Sequence, residues 1–346
     1  MKILGLDPGT AFFQTAEQNS EGEIEFKEIR NAFVELEGYQ SQDIESILKQ
    51  NNWQYVSDGK RFYILGENCL SVSLMFPKVE IRRPMQDGVL NKDEDKKMLI
   101  LASIIENAIG KAPDDKSLVC FCVSSPSIDK EGDNVFHKNR LEGMIKRLGY
   151  NTKCIDEGYA IILSERSCVI DKDGKEIPYS GIAISFGAGR TNCVLAYRGL
   201  QVIGMSSNRC GDWIDKRVSE ETGTPISQFI HIKEIKLDFD NVDFENDIIF
   251  ALDVYYTNLI QYLFKNFAKK FSQIKSQFEA PLDIILAGGT SMPNGFENKV
   301  KSVVKELDLP FKIKDVKKSK DPRNSVVKGL LTQALISHKK LLKEKN

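Results

Sequence analysis

The sequence has no surplus of either charge. Its 48 Lys and Arg residues stand against 49 Asp and Glu, a formal net charge of -1, so no global field draws the chain to nucleic acid or to an anionic membrane. It has no apolar run approaching the roughly 20 residues of a membrane span, and a strand pattern begins at the first residues; a soluble, cytoplasmic protein is expected. It also lacks paired cysteines. The seven present, Cys69, Cys120, Cys122, Cys154, Cys168, Cys193 and Cys210, are odd in number and scattered, mostly within apolar runs, which argues against a disulfide framework and for buried thiols. Cys120 and Cys122 share one face of a strand and could ligate a metal, but no second Cys or His pair accompanies them. His137, His231 and His338 lie far apart without metal-ligand spacing.

What is present begins with length. At 346 residues the chain exceeds a single-core domain, so two lobes are expected. Two glycine loops, each after an apolar run, stand in opposite halves: Leu4-Gly5-Leu6-Asp7-Pro8-Gly9-Thr10 and Ile182-Ala183-Ile184-Ser185-Phe186-Gly187-Ala188-Gly189-Arg190-Thr191. Each reads as a buried strand turning sharply into a second strand, with glycines that let backbone N–H groups approach an anion. Two such loops facing each other would grip one polyphosphate from both sides.

Strand and helix patterns alternate along the chain, the signature of α/β lobes. Asn19-Ser20-Glu21-Gly22 supplies a turn before the alternating Glu23-Ile24-Glu25-Phe26, a hairpin. The spacing predicts helices over 41–50, 93–109, 134–148 and 247–272, and a strand over 118–123. Cys154-Ile155-Asp156-Glu157-Gly158-Tyr159-Ala160 passes from a strand end into a helix. A carboxylate there could orient an attacking water, although the macrodipole alone would favour an acid at that position. Gly211-Asp212 opens another helix, and Lys233-Glu234 lies in a charged segment with the composition of a solvated face. A third strand ends in glycines at Ala287-Gly288-Gly289-Thr290. One such turn is weak; three strand-to-glycine turns in this order are much stronger.

This order resembles the actin, heat-shock chaperone and sugar kinase ATPase superfamily. Asp7 to Thr10 resemble its first phosphate loop, Glu157 to Ala160 its first connecting helix, Ser185 to Asn192 its second phosphate loop and Gly288 to Thr290 its adenosine loop. Ser325 to Ala334, with Gly329, resemble the second connecting helix. Within the superfamily the chain looks most like the prokaryotic actin homologues of the MreB and MamK type, through Tyr63-Ile64-Leu65-Gly66-Glu67 followed by Arg83-Pro84-Met85-Gln86-Asp87-Gly88-Val89-Leu90. Chaperone ATPases and most sugar kinases are longer, and no appended substrate-binding domain is expected after Asn346.

The resemblance implies an α/β, actin-like two-lobed fold with a nucleotide cleft between the lobes, binding ATP with Mg²⁺. It implies a first lobe over 1–155 plus about 325–346, with a small subdomain inserted at about 31–78, and a second lobe over 156–324 carrying a helical insertion at about 212–280. It assigns Asp7 to the metal, and Asp7 and Glu157 to catalysis. The nucleotide would meet Gly9, Thr10, Ser185, Gly187, Ala188, Gly189, Thr191, Gly211, Asp212, Lys233, Glu234, Gly288, Gly289 and Thr290.

Ser185 stands where the superfamily usually has aspartate, Asn192 where an acid is common, and Phe13 where a small hydroxyl residue is usual. Serine cannot supply the charge that helps hold the waters of Mg²⁺, so nucleotide binding is expected to survive better than rapid hydrolysis, unless a neighbouring acid such as Asp156 compensates. The expected function is a cytoskeletal ATPase whose copies join head to tail into filaments, the chain itself being the expected partner. A non-polymerising nucleotide-binding scaffold and a small-molecule kinase of the same fold are the alternatives.

Overall fold

The computed structural model describes all residues except 38–40, 60, 77–78, 130–132, 166–167, 171–173, 275–279 and 345–346, and the side chains of 41–44, 133 and 341–344. The chain divides into two compact units: Met1–Phe121 with Val135–Lys153 and Ala334–Asn346, and Cys122–Asn134 with Cys154–Gln333.

The first unit opens with a meander of β1 (Ile3–Pro8), β2 (Phe12–Gln18) and β3 (Ile24–Arg30), each antiparallel to the one before. The β2–β3 turn is held by Asn19, whose side-chain oxygen accepts the N–H groups of Glu21 and Glu23, an Asx turn that mimics backbone. A smaller sheet follows, from β4 (Phe33–Leu36), β5 (Tyr55–Ser57) and β6 (Phe62–Leu65) in the order β4-β6-β5. With α1 (Ser41–Gln50) and α2 (Asn68–Met75) it encloses its own core, which includes Val34, Leu48, Ile64, Cys69 and Val72. A two-residue turn, Asp87-Gly88 with both φ positive, then joins β7 (Met85–Gln86) to β8 (Val89–Leu90), as the right-handed strand twist requires.

Helix α3 spans Lys97–Ile109 and buries Leu101, Ile105 and Ile109. It starts at Lys97 rather than at the predicted Asp93, because Asn91 and Glu94 bind the backbone of residues 93–97 in turns that compete with helix. Strand β9 (Leu118–Val123) lies parallel to β1, and Cys120 and Cys122 are buried within it. After α4 (Asp133–Arg147) and β10 (Asn151–Asp156) the sheet is complete, in the order β10-β9-β1-β2-β3.

The second unit begins with α5 (Glu157–Glu165) and the exposed hairpin of β11 (Cys168–Ile170) and β12 (Glu176–Pro178). A second meander follows: β13 (Gly181–Phe186), β14 (Thr191–Tyr197) and β15 (Leu200–Ser207). Next come α6 (Gly211–Thr222), α7 (Ile226–His231), a π-helical turn at Ile232–Lys236 and the long α8 (Asp247–Phe271), capped by Asn246 accepting from the N–H groups of Ile248 and Ile249. Strand β16 (Leu282–Ala287), α9 (Phe296–Lys305), β17 (Ile313–Lys318) and α10 (Ser325–Glu344) finish the chain.

The second sheet runs β15-β14-β13-β16-β17, with β16 parallel to β13. Both sheets therefore share one plan: a three-strand meander whose first strand also borders the fourth, with the fifth at the far edge. The second unit's core joins the β13–β14 face to α8, through Ile184, Phe186, Leu252, Tyr256, Phe264 and Phe296. Within this unit α10 meets α5 at bare backbone: a Cβ on Gly329 would stand 1.8 Å from the carbonyl oxygen of Ala160.

Candidate functional site

The β1–β2 and β13–β14 turns are built on the same steric requirement. A Cβ on Gly9 would come 2.5 Å from the carbonyl oxygen of Phe12, and one on Gly187 would come 2.8 Å from that of Arg190. In each turn the glycine faces a carbonyl three residues on, and no side chain fits between. Asp7 and Ser185 hold equivalent places, each the penultimate residue of its strand and paired across the hairpin, with Gln14 and Asn192 respectively.

In the first unit, the carbonyl of Gly9 accepts from the side-chain nitrogen of the buried Asn31 at 3.0 Å, and Thr10 is buried. Phe13, expected in the loop, is fully buried in the core; its ring is packing.

In the second unit the three glycine segments of the sequence come together. The carbonyl of Gly187 accepts from Gly211 N–H at 3.0 Å and from the Thr290 hydroxyl at 3.1 Å, and the carbonyl of Ala188 accepts from Asp212 N–H at 2.8 Å. Arg190 O accepts from Gly187 N–H, and Thr191 donates its hydroxyl to the carbonyl of Arg209. Gly288, at φ +92°, packs on Phe186 so closely that a Cβ would lie 2.4 Å from its carbonyl oxygen. Among the described residues nothing stands within 4 Å of where a Cβ on Gly289 would be. The carbonyls of residues 187, 188 and 190 and the N–H of Gly187 are thus committed within the protein, so an anion would be met by the N–H groups of residues 188–190. These residues fit a phosphate group.

Glu157 opens α5, where the helix macrodipole favours its charge. Its Oε2 accepts from the Asn192 side-chain nitrogen at 2.7 Å and, at the outer limit of a hydrogen bond, from the Ser124 hydroxyl at 3.5 Å. Ser125 N–H donates to Asn192 Oδ1 at 3.2 Å, which fixes the end of the amide that faces Glu157. Asn192 is fully buried and Ser185 nearly so. Beside Glu157, Asp156 accepts from Gly158 N–H, from the Ser125 hydroxyl and from the Gln201 amide; burial pushes its carboxyl up against the pull of these donors. Both its oxygens already serve the protein.

Lys233 is not on a solvated face. It forms an ion pair with Asp215 of α6, both side chains almost wholly enclosed, while Glu234 beside it is exposed. Neither Asp215 nor the Ser124-Ser125 turn was foreseen from sequence. The visible signal for the latter was a pair of small hydroxyl residues at the end of an apolar strand.

Two five-stranded sheets of one plan, each with a glycine turn after its first strand, define an actin-like fold, and solved structures agree with it. The structure of a MamK double helical filament matches with a TM-score of 0.67 at 18% identity, over 96% of this chain and 98% of that one. MreB5 of Spiroplasma citri, bound to ADP, matches at 0.66 and 14% identity over 98% of both chains. The ethanolamine utilization protein EutJ of Carboxydothermus hydrogenoformans matches at 0.52 and 13%, over 96% and 89%. The family model described as Volactin matches residues 1–334, and the chain belongs to that family. No curated protein matches it.

Proposed function

We propose that this chain is a nucleotide-dependent, filament-forming actin-like protein of the cytoplasm, which binds ATP with Mg²⁺ and hydrolyses it slowly. The observation that carries the nucleotide reading is the knot of 187–190, 211–212 and 288–290, with its carbonyls turned to protein donors. Gly9 and Thr10 of the other loop would add N–H groups to the polyphosphate. Asp212, Lys233 and Glu234 would serve the nucleoside, Lys233 while held by Asp215. That proteins of similar fold are seen bound to ADP or AMPPNP, in MreB5, and as a double helical filament, in MamK, supports the reading.

Mg²⁺ would supply charge neutralisation at the phosphates, and Asp7 is the carboxylate assigned to hold its shell. Glu157, held by Asn192, would orient the attacking water. Neutral Ser185 supplies no further charge, and a missing electrostatic contact of this kind costs roughly 100-fold in rate. Hydrolysis is therefore slow, and ATP acts mainly by favouring the polymerising conformation.

The test is sedimentation of the purified chain with Mg²⁺ and ATP, ADP or no nucleotide, with phosphate release followed in the same samples. ATP-dependent pelleting with slow release is expected. A chain that binds ATP and stays in the supernatant at every concentration is a scaffold, the reading that the neutral Ser185–Asn192 pair also suits.

A further inference from the structure

We propose that the outer face of α8 carries two complementary patches through which a second copy of this chain docks head to tail; the proposal rests on the filament reading and names its contact. At the start of the helix, Phe244 and Phe250 are 66% and 48% exposed, with their rings 6.2 Å apart. Val254, one turn on from Phe250, is also exposed. Around them stand the exposed carboxylates of Asp243, Glu245 and Asp247. An aromatic pair held in water and rimmed by one sign of charge is a surface that needs a partner.

The far end of the same helix has the opposite character. Lys265 and Lys269 are exposed one turn apart, and at about 100° per residue they lie about 20° and about 60° round the helix from Val254, on its outer side. Phe250 and Lys269 are about 28 Å apart along the axis, at 1.5 Å per residue.

A patch of carboxylates and aromatic rings is matched by ammonium groups on both counts, through charge and through the ring faces. Both patches lie on one rigid helix, so they cannot meet within one chain. A second copy given a half turn about an axis parallel to the helix, so that the two outer faces oppose, and displaced along that axis brings the lysine end of one to the acidic end of the next, a screw-related heterologous contact that repeats without closing.

The test uses full-length chains carrying Asp243→Lys with Glu245→Lys, or Lys265→Glu with Lys269→Glu, pelleted with Mg²⁺ and ATP. Each reversed chain alone should raise the critical concentration roughly tenfold or more, while their equimolar mixture, in which every contact again joins opposite charges, should pellet like the wild type. Recovery in the mixture also excludes misfolding as the cause. Reversed chains that pellet like the wild type, or a mixture that stays soluble, overturn this contact and leave the filament reading standing. A wild-type chain that never pellets sinks the filament reading, and this contact with it.

Discussion

At the scale of the residue, the arrangement turns on how Glu157 is held. Asn192 presents a donor to it because Ser125 claims the other end of the amide. Asn192→Asp would set a second carboxylate against the first and raise the proton affinity of the pair. Phosphate release should fall at neutral pH and recover partly toward acid, whereas wild type should show no such recovery. Ser185→Asp should act in the opposite direction, raising release about tenfold or more with Mg²⁺-ATP while lowering the melting temperature of the nucleotide-free chain, since it adds a nearly buried charge with no metal beside it. Asp156 gives a pH signature. Its carboxyl is pushed up by burial, so the folded chain holds this proton to higher pH than the unfolded chain does. Its contribution is full below the unfolded value of about 4 and is lost as pH rises through the folded one. Asp156→Asn should remove that loss, so the variant's denaturation midpoint relative to wild type should rise between pH 4 and pH 7.

At the scale of the element, close backbone approaches decide what is tolerated. Gly329→Ala puts a methyl group 1.8 Å from the Ala160 carbonyl oxygen, which only a shift of α10 against α5 can relieve. A loss of about 3 kcal/mol in chemical denaturation is expected. Lys233→Met should cost a similar amount by stranding Asp215, and adding Asp215→Asn should restore part of it; the cycle reads out the pair directly. The same elements show what a sequence can tell. The glycine turns were legible because a residue facing a carbonyl three positions on can only be glycine, and α8 was legible because a long amphipathic helix writes its period into the chain. Partners were not: the Asn192–Glu157 bond joins residues 35 apart, and the Lys233–Asp215 pair joins residues 18 apart, Lys233 standing in the π-helical turn and Asp215 in α6. Nor was the β11–β12 hairpin, whose residues are nearly all exposed and so carry no core pattern.

At the scale of the whole molecule, the net charge of -1 hides an uneven distribution. Charge that attracts a second copy is screened by salt, the Debye length falling from about 10 Å at 0.1 M to about 3 Å at 1 M. Pelleting with ATP should therefore weaken across that range even while nucleotide affinity, followed by a fluorescent analogue, changes far less. Insensitivity of the pellet to salt would assign assembly to apolar area instead.

The shared plan of the two sheets has a consequence of its own. A strand order used twice, with a glycine facing a carbonyl three residues on in both hairpins, is the pattern that tandem duplication of a single half would leave behind. Asp7 and Ser185 are then counterparts rather than neighbours in a motif. On that origin the two turns have diverged in charge, one carrying an acid at this place and the other a hydroxyl.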